Sequence, residues 1–145
     1  MSLKLSSLKA DLARESDGAW MDVPEWPGVS LKVRGLNFPA YELARNTGAQ
    51  IRARKTKNAV STSAETTAFF GRLYAEHILL DWKGLVGDDN QPVPYSKEKA
   101  IEILTDPAFR EFVSAVENAA ARVAQVDVEF VEGAAKNSEQ PSATG

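Results

Sequence analysis

Apolar and polar positions change their period several times along this chain, and each change predicts an element. Val29, Leu31 and Val33 alternate with Ser30, Lys32 and Arg34, the period of two that marks a half-buried strand. Trp20 and Val23 lie just upstream, with Pro24 and Pro27 between the two stretches. Proline cannot donate to a strand ladder, so the prolines mark a loop and the region 19–36 predicts a β-hairpin. From Pro39 to about Lys57 the period becomes helical, with a thin stripe of Tyr41, Ala44, Gly48 and Ile51. A second helix is predicted over 62–84, where Phe69, Phe70, Leu73, Tyr74, Ile78 and Leu80 make a broad face suited to more than one neighbour. Short spacing at Ala100, Ile101 and Leu104 predicts a helix over 96–104. The strongest periodicity is Phe109, Phe112, Val113, Val116, Ala120 and Val123, a final helix over 107–124.

Local signals sharpen these ends. Thr62 and Glu65 have capping-box spacing, Ser96 is placed as an N-cap, and Asp106-Pro107 supplies a cap followed by proline at the first helical position. Arg52, Arg54, Lys55 and Lys57 gather at one helix end, where the macrodipole favours cations. Residues 1–18 read as a flexible arm ended by Asp17-Gly18. Residues 127–145 lose periodicity, and the last ten carry no large apolar side chain, so a disordered tail is expected. The prediction is an α+β fold, mostly α-helical, with one globular domain over 19–126. In it the short N-terminal hairpin packs on a bundle of about four helices.

Composition narrows the function classes. The 145 residues are 43% hydrophobic and 26% charged, with a net charge of −3 and no cysteine. Disulfides and thiolate metal sites are excluded, and a dedicated nucleic-acid binder would carry a basic excess. No apolar run reaches the ~18–20 residues of a membrane span, and the N-terminus lacks a signal-peptide core. A soluble intracellular protein is expected.

Candidate chemistry is sparse. Asp88-Asp89-Asn90 begins like a calcium loop, but counting from Asp88 the fifth position is Pro92, the sixth Val93 and the twelfth Lys99. A helix–loop–helix calcium site requires oxygen ligands, glycine and glutamate there. Polar turn punctuation is the better reading. His77 is the single histidine, with Asp81 at helical i+4 spacing and no flagged nucleophile, so a structural role is expected. No phosphate loop, nucleophile elbow or metal-ligand cluster is visible, so no cofactor and no enzymatic activity are expected. The basic stretch 45–57 reads as a solvated helix face or as a docking surface for an acidic protein partner.

Residues 79–120, "LLDWKGLVGDDNQPVPYSKEKAIEILTDPAFREFVSAVENAA", resemble the tail assembly chaperones of long-tailed bacteriophages and prophages. The shared pattern runs through Asp81-Trp82, the acidic pair Asp88-Asp89 and Pro92-Val93-Pro94-Tyr95-Ser96 to the Leu104-Thr105-Asp106-Pro107 break. Residues 17–23, 31–44 and 134–138 extend it. Asn90 stands where such turns often carry glycine. Asparagine tolerates positive φ well, so the turn is expected to survive.

The resemblance implies a non-enzymatic protein of the host cytoplasm, absent from the mature virion. Such a protein binds the tape measure protein, keeps its apolar helices soluble, and helps recruit the tail tube protein. A frameshifted C-terminal extension joined after Val126 is also implied. Self-association is expected because coating a long repetitive client favours several copies. Small residues left over on the last helix, Ala115, Ala119 and Ala121, are expected to permit close helix approach. Arg45, Arg52, Arg54, Tyr95, Val128 and Phe130 are the candidate partner-binding residues. A structural component retained in the virion, or a small nucleic-acid-binding regulator using Arg52, Arg54 and Lys55, are the alternatives.

Overall fold

The computed structural model describes residues 1–56 and 62–132. Two compact units emerge: Leu12–Ala124, and a smaller one built from both termini, Met1–Asp11 with Gln125 onward.

The larger unit has α+β architecture. Strands β2 (Ala19–Asp22), β3 (Ser30–Val33) and β4 (Leu79–Lys83) form an antiparallel sheet with β3 in the centre. The hairpin pairs Ala19 with Val33 and Met21 with Leu31. On the other side of β3, Leu31 pairs with Trp82 and Val33 with Leu79, with a register shift between Lys32 and Val33. Alternation therefore sends Leu31, Val33, Leu79 and Trp82 to the inner face, all buried. The outer face carries Trp20, Lys32, Asp81 and Lys83, and the Lys83 ammonium lies 4.1 Å from the centre of the Trp20 ring.

The helices are α1 (Leu12–Asp17), α2 (Pro39–Thr56), α3 (Ser63–Leu73), α4 (Lys97–Leu104) and α5 (Arg110–Val123). Helix α5 lies against β2 and β3, α4 touches α3 and α5, and α2 packs on α3. The capping signals form as expected. Thr62 Oγ1 accepts from Glu65 N, and Glu65 Oε1 accepts from Thr62 N at 2.8 Å. These bonds hold the Glu65 carboxyl below the usual carboxylate range. Ser96 Oγ accepts from Lys99 N, and Asp106 accepts from Ala108 N.

Four expectations need correction. The helix expected over 62–84 ends much earlier: α3 runs into a π-helical turn, Tyr74–Ile78, and then into strand β4. Arg34, just past β3, donates to the His77 carbonyl at 3.2 Å, and its backbone N–H donates to Ile78 O at 2.9 Å. The end of the helix is thus tied to the central strand. The flexible arm expected over 1–18 instead contains α1 and a strand β1 (Ser2–Leu3). The flexible tail expected from 127 contributes β5 (Phe130–Val131), which pairs with β1. The rest of that tail, 133–145, lies outside the described residues. Lastly, Ala115 and Ala119 are buried in the core instead of being left over for a partner, and Phe109, expected in the apolar stripe, is exposed.

Candidate functional site

The turn at 88–90 is built by its own side chains. Asp89 Oδ1 accepts from Gln91 N at 3.1 Å, Gly87 N donates to Gln91 O, and Asn90 adopts φ 63°. Asparagine supplies the left-handed conformation here at little steric cost. The loop thus closes a small hairpin bridged at Val86 and Pro92. Among the described residues no group of three or more His, Cys, Asp or Glu could hold a metal ion. The expected helical pairing of His77 with Asp81 does not form, because β4 replaces the helix. Asp81 Oδ1 accepts from the Trp82 backbone N–H instead.

The candidate partner residues fall in three different places. Arg45 lies over the Tyr41 ring at 5.7 Å, and Arg52 over the Phe69 ring at 4.6 Å. Both are half-buried, so their stems and guanidinium planes cover aromatic surface. Arg54 is exposed near the end of α2. Tyr95 turns inward: its ring meets the Trp82 edge at 5.0 Å and its hydroxyl donates to Leu79 O at 3.3 Å. Burial, together with Asp81 and Glu98, pushes its pKa up. Val128 and Phe130 are exposed in the terminal unit.

Sequence reasoning did not single out Leu43 and Ile51. These are exposed at 68% and 46% on α2, on the side away from Tyr41. Their eight-residue separation keeps them near one helical line, which was the available signal. Nor did it find a trough of about 310 Å³ between α3 and α5, floored by Phe70, Tyr74 and Val113 and edged by Thr66, Arg110 and Glu117. At its base the Tyr74 hydroxyl donates to Glu117 Oε2 at 2.6 Å. Burial is the larger cause and the Glu117 carboxylate the next in raising the Tyr74 pKa far above that of an ordinary phenol.

That pair has a testable pH signature. A phenol whose folded pKa lies above its unfolded value stabilises fully below the unfolded value of about 10 and loses that contribution as pH rises past it. Tyr74→Phe is expected to cost about 1.5 kcal/mol at neutral pH, the lower end for a hydrogen bond to a charged group, since Glu117 is half-buried. It should also make the alkaline decline shallower without abolishing it, because Tyr95 titrates in the same sense. Urea unfolding at neutral pH and just above pH ~10 measures both. An unchanged alkaline slope in the variant would refute the coupling.

No helix among the described residues is long and apolar enough to cross a membrane. The features are those of a protein surface that touches other macromolecules through grooves and apolar side chains. Neither the curated proteins nor the solved structures contain a match to this chain. A family model, that of the YdaY prophage protein, matches residues 38–137, from the start of α2 past β5. That span takes in more than half of the 145 residues, and the chain belongs to the YdaY prophage protein family.

Proposed function

We propose that this prophage protein is a tail assembly chaperone. It holds the tape measure protein soluble and brings tail tube subunits to it in the host cytoplasm, catalysing nothing and leaving before the virion is complete. The pattern over 79–120 supports this reading and falls inside the family-matched span. The observation that carries it is the amount of large apolar surface left outside a well-filled core. Leu43, Ile51, Val86 and Phe109 are exposed on the larger unit, and further leucines, Val128 and Phe130 on the terminal one. A holdase works through adaptable apolar surface and reversible contacts. On α2, Leu43 and Ile51 share their exposed side with Arg54, a combination that suits an amphipathic helix with acidic flanks.

Co-expression with the tape measure protein tests the proposal. The client is expected in the soluble fraction only when this protein is present. The double variant Leu43→Glu, Ile51→Glu should lose that effect while melting normally, because both positions are already solvated. A client equally soluble alone would overturn the reading. Recovery of this protein in purified particles by mass spectrometry would replace it with a structural role in the virion.

A further inference from the structure

The terminal unit is constructed with care yet has no core. Lys4 N donates to Glu129 O at 2.8 Å, and Glu129 N donates to Ser7 Oγ at 2.8 Å. Ser7 Oγ in turn donates to Lys4 O at 2.6 Å, and the Lys4 and Glu129 side chains pair at 3.6 Å. Strands β1 and β5 meet in register, Ser2 with Val131 and Leu3 with Phe130. Alternation places Leu3 and Phe130 on one side of this ribbon, and Ser2, Val131 and the Lys4–Glu129 pair on the other. No described residue of the unit is buried. Leu3 is 43% exposed and Phe130 56%, with Leu5, Leu8 and Val128 exposed beside them in the same unit. A two-stranded ribbon is marginal in water unless its apolar side is covered.

We propose that a second copy of this chain covers it, the two ribbons packing through their Leu3 and Phe130 sides. Residues 133–145 contain no leucine, isoleucine, valine, methionine or aromatic residue, so that stretch supplies no apolar cover of its own. The charges favour a like partner. Lys4 and Glu129 neutralise each other on the far side, so two Leu3/Phe130 faces meet without opposing like charges. Apolar meeting apolar about a two-fold axis is the self-complementary arrangement of an isologous dimer. Together the two ribbons supply four strands around a shared apolar layer, past the threshold for a stable sheet assembly. This inference is separate from the chaperone reading, since a dimer needs no client.

Sedimentation of the full chain over a concentration series tests it. The wild type is expected to dimerise, and Phe130→Glu to dissociate at least about tenfold more readily, the consequence of replacing a buried ring with a charge. Its circular dichroism should match the wild type. The chain has no cysteine, so single replacements report the face directly. Phe130→Cys should form a covalent dimer under mild oxidation, and Glu129→Cys, on the far side, should do so much more slowly. A wild type that stays monomeric, including one whose ribbon is protected only when the client is present, would overturn the proposal. So would a dimer unaffected by Phe130→Glu, or equal crosslinking at 129 and 130.

Discussion

Replacing Trp82 by alanine is expected to lower stability by about 3–5 kcal/mol, the range for truncating a buried aromatic side chain. In a domain of this size that lowers the melting temperature by on the order of 10–20 °C. Trp82 is 5% exposed and sits on β4 opposite Leu31 of the central strand. Its ring meets Phe112 of α5 at 6.1 Å and Tyr95 at 5.0 Å, both edge-on, while Trp26 stacks on Phe112 from the hairpin loop. One side chain thus joins the sheet, the last helix and the segment after the acidic turn. Its indole N–H donates to Val93 O at 2.7 Å, so alanine leaves both a cavity and an unpaired carbonyl. Trp82→Phe separates the two losses. It retains much of the packing and is expected to cost about 1–2 kcal/mol, near the value of the lost hydrogen bond. Denaturant titration of both variants decides the matter. A Trp82→Ala loss under about 1 kcal/mol would mean that the ring is not a core element.

The same residue shows where sequence reading succeeds and where it stops. The capping box at Thr62 and the Asp106-Pro107 start are local devices, legible because each partner lies within three residues of the other. The stripe of Phe112, Val116, Ala120 and Val123 was legible because α5 buries one continuous face. Strand β4 was not legible. Its five residues follow α3 with no glycine or proline between, and Leu73, Ile78 and Leu80 satisfy a helical period almost as well as an alternating one. What ends the helix is β3, more than forty residues upstream, through Arg34 and the Val33–Leu79 pairing. Tertiary hydrogen bonding overrides local periodicity there, and a π turn absorbs the mismatch.

The candidate surface divides in the same way. Arg45 over Tyr41 is an i, i+4 neighbour on one helix and was within reach of spacing rules. Arg52 over Phe69 joins two helices and was not. Tyr95 was placed among the partner residues because a tyrosine between prolines has no period to assign it. Only the packing on Trp82 shows that it faces the core. Val128 and Phe130 were chosen from an aperiodic stretch. Their pairing partners lie at the opposite end of the chain, and no local pattern reveals such a register.

Gly71→Ala is the second large effect, and its sign is set by two opposed terms. Alanine is the better helix former by about 1 kcal/mol, so at an open position on α3 it would stabilise. A Cβ built at Gly71, however, falls on the backbone carbonyl oxygen of Leu104, with Thr105 N at 3.0 Å. That carbonyl belongs to the last residue of α4, just before Thr105 closes the helix through its hydroxyl bond to Ile101 O at 2.6 Å. Backbone held at both ends cannot swing aside as a side chain can. The two helices must separate, and overpacking of this kind costs about 3 kcal/mol or more at its upper end. The clash outweighs the propensity gain, and a net loss of about 2 kcal/mol or more is expected. Gly48→Ala provides the contrast: there the new Cβ meets the edge of the Phe69 ring, which can turn on its own bonds. Its cost should be largely offset by helix propensity, leaving a change within about 1 kcal/mol. Melting curves of the two variants side by side test the close approach of α3 and α4. Equal stability of Gly71→Ala and Gly48→Ala would show that the helices are not held together at the Leu104 carbonyl.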